Sequence, residues 1–267
     1  MGLRSFRSSK ASPPTTLKDG TMSSTVRAAE CCARRTRRAT HVLFSAWIIA
    51  TVTAAAIART EPPQGAIVGW GSQTVGIDLS AGFVAVSAGG DHSLGLKTDG
   101  SIVAWGAYSY GQTNVPAPNA DFIAIAAGSH HNLGLKADGS IVAWGGNYSG
   151  QTNIPSPNAD FIAIATGGDH SLGLKADGSI VAWGNNSVGQ TNVPAPNADF
   201  IGIAAGGFHS LGLKADGSIV GWGRNNYGQT NVPAPNTGFV GVAAGAYHSL
   251  AIRRVLGDAD ADGDVDW

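Results

Sequence analysis

The chain has 267 residues and a formal net charge of −1, which hides an uneven distribution. Residues 1–58 carry nine Lys and Arg against two acidic residues, whereas residues 59–267 carry eight basic against sixteen acidic residues. A nucleic-acid-binding domain concentrates Lys and Arg on its folded part, where they meet phosphates, so this composition excludes that class of function.

The first 58 residues are typical of an export signal. An arginine-rich stretch (residues 34–38) precedes an apolar run of 17 residues (residues 42–58) that ends in Ala56-Ile57-Ala58. A positive segment, an apolar segment and a small-x-small site are the parts of a cleavable signal peptide. The alternative is an uncleaved membrane anchor, for which this run is close to the lower length limit. Both interpretations predict a secreted or cell-surface protein, with residues 59–64 as a linker.

Residues 65–256 consist of copies of one sequence motif that repeats with a period of 39 residues. The period is set by five histidines and by four tryptophans, with the histidines at His92, His131, His170, His209 and His248 and the tryptophans at Trp105, Trp144, Trp183 and Trp222. A fixed period of this size predicts a solenoid, a propeller or another repeat array.

Each repeat predicts three strands. In one copy these are residues 161–167, 171–175 and 179–184, which are apolar and β-compatible. Asp177-Gly178 separates the second and third strands, and this dipeptide predicts a two-residue hairpin turn in which both residues have positive φ. Residues 185–199 contain two prolines and no periodicity, which indicates a loop that returns to the next repeat.

Stacking of these units predicts an all-β fold, a β-propeller of short three-stranded blades. A three-stranded sheet cannot hide both faces alone, and radial stacking of neighbours covers them, with one tryptophan between each pair of blades. The repeats begin with a lone third strand (residues 66–71) and end with a lone first and second strand (residues 239–245 and 249–253). Pairing of these N- and C-terminal strands predicts a ring of about five blades. An open arc and a ring shared between chains stay possible.

The repeated segments AAGxxHSLGLKADGSIVAWG and GQTNVP resemble the repeat of the regulator of chromosome condensation family in its short bacterial form, over about residues 65–254. The resemblance implies a propeller closed by strand exchange between its termini. The short form is similar to that of secreted bacterial propellers that inhibit β-lactamases, which implies protein binding through loops. That family usually has seven blades, whereas this chain has about five units.

Two variable zones of the repeat predict a binding surface. They precede the repeated histidine and follow the Trp-Gly pair, and the strand order places both on one rim of the propeller. Tyr and Arg are enriched at the energetic centres of protein interfaces, so an aromatic variable rim favours a protein partner. Loops that drift freely and tolerate tyrosine are the alternative. The candidate residues are Tyr108, Tyr110, His130, Tyr148, Phe208, Arg224, Tyr227 and Tyr247.

The repeated histidines and acids are interpreted as scaffold. Histidine recurs in every blade, so we expect each imidazole to bond backbone at the turn into the second strand, rather than to join a metal site that breaks the symmetry. The Asp-Gly acids are interpreted as turn residues. Both cysteines, Cys31 and Cys32, lie in the leader, so residues 59–267 offer no thiolate or cysteine-zinc chemistry. No enzyme motif is present, and no cofactor is expected in the propeller.

The last segment, residues 257–267, is similar to the start of a dockerin-type calcium loop. Its acids have the spacing of loop positions 1, 3, 5 and 9, and a glycine stands at position 6. The acid of position 12 would be residue 269, so this segment is either a truncated calcium loop or a bare acidic tail, and we expect it to bind calcium weakly or not at all. The candidate ligands are Asp258, Asp260, Asp262, Asp264 and Asp266.

Three function classes follow from these observations. The first is an exported, non-enzymatic propeller that binds an unidentified protein partner through its variable rim. The second is a structural module of the cell surface or matrix. The third is an enzyme built on the propeller channel, for which the sequence offers only repeat-wide histidines and turn acids. Neither nucleic acid nor, beyond a possible N-terminal anchor, a membrane is an expected partner.

Overall fold

The computed structural model describes residues 65–68 and 81–254, and these residues form β-strands without any helix. Within this described part, therefore, no helix has the length and apolarity needed to cross a membrane. The predicted leader, the linker at residues 59–64, part of the predicted N-terminal strand and the acidic tail lie outside it. The export signal, the domain boundaries and the calcium loop therefore stay predictions.

Fourteen strands group into four three-stranded blades and one two-stranded half-blade within the described residues. Blade 1 contains β1 (Phe83–Ala88), β2 (His92–Lys97) and β3 (Ile102–Gly106); blade 2 contains β4 (Phe122–Ala127), β5 (His131–Lys136) and β6 (Ile141–Gly145); blade 3 contains β7 (Phe161–Thr166), β8 (His170–Lys175) and β9 (Ile180–Gly184); blade 4 contains β10 (Phe200–Ala205), β11 (His209–Lys214) and β12 (Ile219–Gly223); and the half-blade contains β13 (Phe239–Ala244) and β14 (Ser249–Arg253). The predicted three strands per repeat are confirmed.

Every blade has the same antiparallel register. In blade 2, His131 lies opposite Gly145 and Leu133 opposite Ala143, and the first strand carries an irregularity between Phe122 and Ala124. First strands of neighbouring blades contact each other, and each also contacts the second strand of the preceding blade. The blades therefore stack around the first strands, with the third strands outermost.

The Asp-Gly hairpins differ from the prediction. Gly178 has a φ of 81°, but Asp177 has no positive φ, so the two-residue turn was wrong. Gly178 N donates to Lys175 O at 3.0 Å, and Lys175 N donates to Ser179 O at 2.8 Å. This is a three-residue hairpin with glycine in the left-handed region. Asp177 contributes through its side chain, whose Oδ1 accepts from the backbone and hydroxyl of Ser179 at 2.9 and 2.6 Å.

The hydrophobic core lies between blades, as the tryptophan spacing predicts. Trp144 of blade 2 packs with Leu94, Leu96 and Ile102 of blade 1, and the same arrangement recurs at the next two boundaries. The strand glycines allow close packing mainly within a blade, because a Cβ on Gly134 would lie 2.5 Å from Phe122 Cε1. A tryptophan that buries roughly 150–250 Å² makes each boundary a substantial apolar interface.

The two ends of the described repeats are incomplete blades. Gly65 and Phe83 form an isolated antiparallel bridge, so residues 65–68 lie beside blade 1 as each third strand lies beside the next blade. At the other end, β14 pairs with β13 and with no other described strand. Leu250 is 64% exposed, whereas its equivalent Leu211 is 2% exposed. Pairing of the N- and C-terminal strands stays a prediction.

Candidate functional site

The two variable zones of each repeat meet on one rim. Ala107 N donates to Asp91 O at 2.8 Å, and Arg224 N donates to Phe208 O at 2.9 Å, so the loop after each third strand starts beside the turn before the repeated histidine. We name this side, formed by these loops and turns, the variable rim. The Asp-Gly hairpins lie at the opposite ends of the same strands and form the hairpin rim.

Each loop of the variable rim is fixed by its glutamine. Gln112 is fully buried, and its side-chain Oε1 accepts from Tyr110 N at 2.8 Å; Gln151, Gln190 and Gln229 make the same bond. In blades 2 to 4 an asparagine adds two bonds. Asn147 Nδ2 donates to Asn153 Oδ1 at 2.8 Å, and Thr152 N donates to Asn147 Oδ1 at 3.1 Å. The loops are therefore ordered platforms for the side chains that vary.

Three of the predicted rim residues form a first aromatic cluster across the boundary of blades 1 and 2. The ring of Tyr110 lies 4.9 Å from that of His130 and 5.6 Å, edge-on, from that of Tyr148. Tyr108 is on the same loop as Tyr110 and is 76% exposed, and Tyr148 is 81% exposed. Through these two ring contacts Tyr110 joins His130 and Tyr148 into one aromatic surface across the blade boundary.

Four further predicted residues lie on blade 4 and the half-blade. Tyr227 and Tyr247 pack edge to face at 5.5 Å, and the Arg224 guanidinium stacks on Phe208 at 4.4 Å from the ring centre. The structure thus brings seven of the eight predicted residues into ring contacts and leaves Tyr108 projecting into solvent. Blade 3 separates the two groups with Asp169 and Val188, which the sequence had not singled out.

A pairing rule that the sequence reading missed connects neighbouring blades. At two boundaries the residue two before the glutamine packs against the turn residue of the next blade, Tyr110 against His130 and Tyr227 against Tyr247. The same positions hold Ser149 with Asp169 and Val188 with Phe208. These pairs are aromatic, polar or apolar together, a signal visible in the aligned repeats. Part of the rim variation therefore reflects packing between blades.

The repeated histidines form a buried polar junction between blades. His131 Nε2 lies 3.0 Å from Ser171 Oγ of the next blade, and Ser171 donates its hydroxyl hydrogen to Gln151 O at 2.9 Å. The serine therefore accepts from the imidazole, which fixes the Nε2–H tautomer. Trp183 Nε1 donates to the same Gln151 O at 2.8 Å. The scaffold role of the histidines was predicted correctly, but their partner is a side chain of the next blade rather than backbone.

Burial keeps these imidazoles neutral. It lowers the pKa of His131 to about 3, with further lowering from the neighbouring His170 and His92, and it lowers the pKa of His170 to about 4, with a smaller contribution from His209. Their Nδ1 atoms are buried without a hydrogen-bond partner. Within residues 65–68 and 81–254, no cluster of His, Cys, Asp and Glu could hold a metal ion.

The repeat matches a known family. The sequence profile named "Regulator of chromosome condensation (RCC1) repeat" matches residues 83–112, 122–151, 161–190 and 200–229. Four segments of the chain therefore match the RCC1 repeat. Each match spans one blade from its first strand to the buried glutamine, which are the parts that form the core and the polar junction. No curated protein is significantly similar to the whole chain in sequence.

Solved RCC1-like propellers share the fold. Prp20p from Saccharomyces cerevisiae, a protein with binding properties to Gsp1p and histones, is 21% identical with a TM-score of 0.56, over 65% of this chain and 55% of its own. The ectodomain of the Physcomitrella patens receptor kinase CR4 is 27% identical with a TM-score of 0.54, over 70% and 50%. Human WBSCR16 is 21% identical with a TM-score of 0.54, over 71% and 64%. The RCC1-repeat chain thus spans about half to two thirds of these proteins.

Proposed function

We propose that this RCC1-repeat protein is a non-enzymatic binding module that holds a protein partner on its variable rim. The observation that carries the proposal is the contrast between copies: core, junction and hairpin residues recur, while exposed tyrosines gather on one rim. Aromatic residues on a rigid platform are the usual energetic centres of protein interfaces. Prp20p, which has the same fold, has binding properties to Gsp1p and histones, so this fold serves elsewhere as a protein-binding scaffold.

We further propose that the partner is met outside the cell. The leader with its arginines, apolar run and A-x-A site supports export, and the short repeat resembles that of the secreted bacterial propellers that inhibit β-lactamases. In this proposal the propeller uses no cofactor. The acids at residues 257–267 have the spacing of the start of a dockerin-type calcium loop, and in this proposal they bind calcium weakly or not at all.

A structural role at the cell surface or in the matrix is the second candidate. It is favoured by the edge of β14, which pairs with β13 alone among the described strands and on which Leu250 and Ile252 are 64% and 50% exposed, an edge to which further repeats can add. In that case the tyrosines of the variable rim would have no role in binding, and their replacement would leave the function unchanged.

The test compares retention of proteins by the chain and by the variant Tyr108→Ala, Tyr148→Ala, Tyr227→Ala. These three side chains are between 72% and 81% exposed, so their loss leaves the fold intact. Secreted and envelope proteins of the host are passed over both forms, and the affinity of each retained protein is then measured with purified components by calorimetry. We expect at least one partner whose affinity falls tenfold or more in the variant, about 1.4 kcal/mol.

The matched control replaces Ile123 by Ala. Ile123 is 54% exposed and follows Phe122, whose backbone N–H bonds to Gly100 of the hairpin rim, so this variant removes exposed apolar surface from the other side. The Ile123→Ala variant should bind each retained protein with the same affinity as the unaltered chain. Equal binding by all three forms would exclude the variable rim and favour the structural role.

A further inference from the structure

The boundary between blades 1 and 2 departs from the chain's own repeat. Tyr108 stands where blades 2 to 4 have the loop-fixing asparagine, Asn147 and its equivalents. A phenol ring cannot supply both the amide and the carbonyl that Asn147 uses towards Asn153 and Thr152. Blade 1 therefore lacks two hydrogen bonds that blades 2 to 4 have, and it has an exposed aromatic ring in their place. A residue that breaks a local rule without a structural gain is expected at a functional site.

A buried donor at the same boundary has no acceptor. Gln112 is fully buried, its Oε1 accepts from Tyr110 N, and its Nε2 has no hydrogen-bond partner within the described part of the chain. In blade 2, Gln151 Nε2 donates to Asp169 Oδ1 at 3.4 Å, and in blade 3, Gln190 Nε2 donates to Asn185 Oδ1 at 3.0 Å. An unsatisfied buried donor costs stability, so its retention calls for an explanation.

His130 occupies the place of the missing acceptor. It is the blade 2 equivalent of Asp169, which supplies the carboxylate at the next boundary. His130 is half-buried, its Nδ1 is buried without a partner, and a Cβ on Gly146 would lie 3.3 Å from His130 Cβ and 3.7 Å from Tyr110 Cβ. Gln112, Tyr110 and His130 therefore converge at the end of β6. Two polar atoms without partners lie beside the first aromatic cluster.

The other tyrosine pair repeats this combination. Gln229 is 5% exposed, its Nε2 has no partner in the described structure, and it belongs to the loop whose Tyr227 packs on Tyr247. The glutamines of blades 2 and 3, whose boundaries lack a tyrosine pair, both have an acceptor. Loss of the acceptor thus accompanies the tyrosine pair in both cases.

We propose that the first aromatic cluster binds an Asp or Glu side chain of the protein partner, whose carboxylate takes the position that Asp169 fills at the next boundary. The inference rests on the proposed function, since it names the chemistry that the variable rim recognises. Gln112 Nε2 donates to one carboxylate oxygen, and His130 Nδ1, protonated in one of its two tautomers, donates to the other. The amide is covered in the free chain, so the His130 side chain turns aside as the carboxylate enters. Tyr108 and Tyr148 pack on the apolar residues that flank the acid.

The experiment selects phage-displayed random dodecapeptides on the immobilised full chain and measures the affinities of the enriched peptides by fluorescence anisotropy. We expect enrichment of Asp or Glu beside apolar residues. Replacing that Asp by Asn, or Glu by Gln, should weaken binding about tenfold or more, since hydrogen bonds to a charged group are lost. His130→Asp places the protein's own carboxylate beside Gln112, as in blade 3, and should weaken binding to the same extent.

Ser187→Asp is the charge-matched control. Ser187 is exposed on the blade 3 loop, so this variant adds one negative charge to the variable rim without reaching Gln112, and its affinity should change less than about twofold. Peptides without acids that still need the tyrosines, or equal binding by His130→Asp and Ser187→Asp, would overturn the carboxylate site alone. A selection that enriches no peptide over the triple tyrosine variant would contradict both proposals.

A second measurement separates function from structure at Tyr108. Tyr108→Asn restores the two loop bonds of the other blades, so the melting temperature should rise by about 2–4 °C. The same variant should bind the selected peptides less tightly. A fall in melting temperature would show that Tyr108 serves the fold, and the argument that its departure from the repeat is functional would then be wrong.

Discussion

At the scale of single residues, the buried histidines make this fold sensitive to acid. The pKa of His131 is about 3 and that of His170 about 4, whereas an unfolded chain protonates histidine near 6.5. Below pH 6.5 the unfolded state therefore binds more protons than the folded state. His131 and His170 therefore do not lower the free energy of unfolding above pH 6.5, but they lower it as the pH falls from 6.5 towards 4.

We accordingly predict that stability declines by up to about 1.4 kcal/mol per pH unit for each such histidine between pH 6.5 and pH 4. Urea denaturation at a series of pH values measures the decline. His131→Gln, which cannot be protonated, should be less stable at pH 7.5 but should show a shallower slope. An unaltered slope would mean that His131 is not neutral in the folded protein.

The glycine three residues before each of these histidines is a second requirement at the residue scale. A Cβ on Gly167 would clash with the His170 imidazole and lie 2.5 Å from Gly206 O of the next blade. Gly167→Ala should therefore cost about 1–3 kcal/mol, as overpacking does in a core that cannot move.

Gly202→Ala is the matched control. Its Cβ would meet Leu213 Cβ at an ordinary 3.6 Å, and Ala124 and Ala163 already occupy the equivalent positions of blades 2 and 3. We expect this variant to be neutral or slightly more stable. Unfolding in urea should give a lower free energy of unfolding for Gly167→Ala than for Gly202→Ala. Equal values would show that close packing does not require Gly167.

At the scale of elements, neighbouring blades are joined by a polar junction as well as by apolar packing. Ser171 accepts from His131 and donates to Gln151 O, so Ser171→Ala leaves a buried imidazole donor without a partner. The expected cost is about 1–3 kcal/mol. Ser187→Ala, on an exposed loop, should stay within about 0.5 kcal/mol. Thermal or urea unfolding measures the loss of stability in both variants. A loss for Ser171→Ala no larger than for Ser187→Ala would show that the polar junction does not stabilise the fold.

Most of the strands and the boundaries between blades could be predicted from the repeat. The 39-residue period, the three apolar segments and the tryptophans fixed the strands and the blade boundaries, because copies of one sequence must satisfy one geometry. The turn type could not be predicted from Asp-Gly alone, since the Asp177 side chain bonds to Ser179 and stabilises a three-residue turn. The histidine partner was missed because Ser171 lies 40 residues away, in the next copy.

The candidate site could be predicted as a set of positions but not as contacts. Variability and aromatic character marked the rim residues, and the structure places them on one side. The pairing of Tyr110 with His130 and the unpartnered amide of Gln112 depend on how two blades meet, which no single repeat encodes. Whether the rim binds a partner stays a prediction.

At the scale of the whole molecule, the N-terminal segment and the half-blade predict where closure would occur. The pairing of Val220 with Gly212 in blade 4 places Val68 opposite Ala251 if residues 66–71 become the third strand of β13 and β14. Val68 is 79% exposed and Ala251 is exposed, so both positions accept cysteine.

A disulfide between Val68→Cys and Ala251→Cys, in a chain with Cys31→Ser and Cys32→Ser, tests this closure. We expect a disulfide within one chain, detected as a monomer in non-reducing electrophoresis, with a higher melting temperature than the reduced form. Val68→Cys with Leu250→Cys, one residue out of register, should form it poorly. Dimers joined by the disulfide would instead indicate a ring shared between chains, and no disulfide would indicate an open arc.

We propose that the copied parts of the repeat build the scaffold and that the varied rim binds a protein. Hydrogen exchange of the chain alone and in complex with the protein it retains tests this most directly. We expect slower exchange in residues 107–112, 129–131 and 146–151 of the variable rim, with no change in the hairpins at residues 98–101, 137–140, 176–179 and 215–218. Protection confined to those hairpins or to the edge of β14 would contradict it.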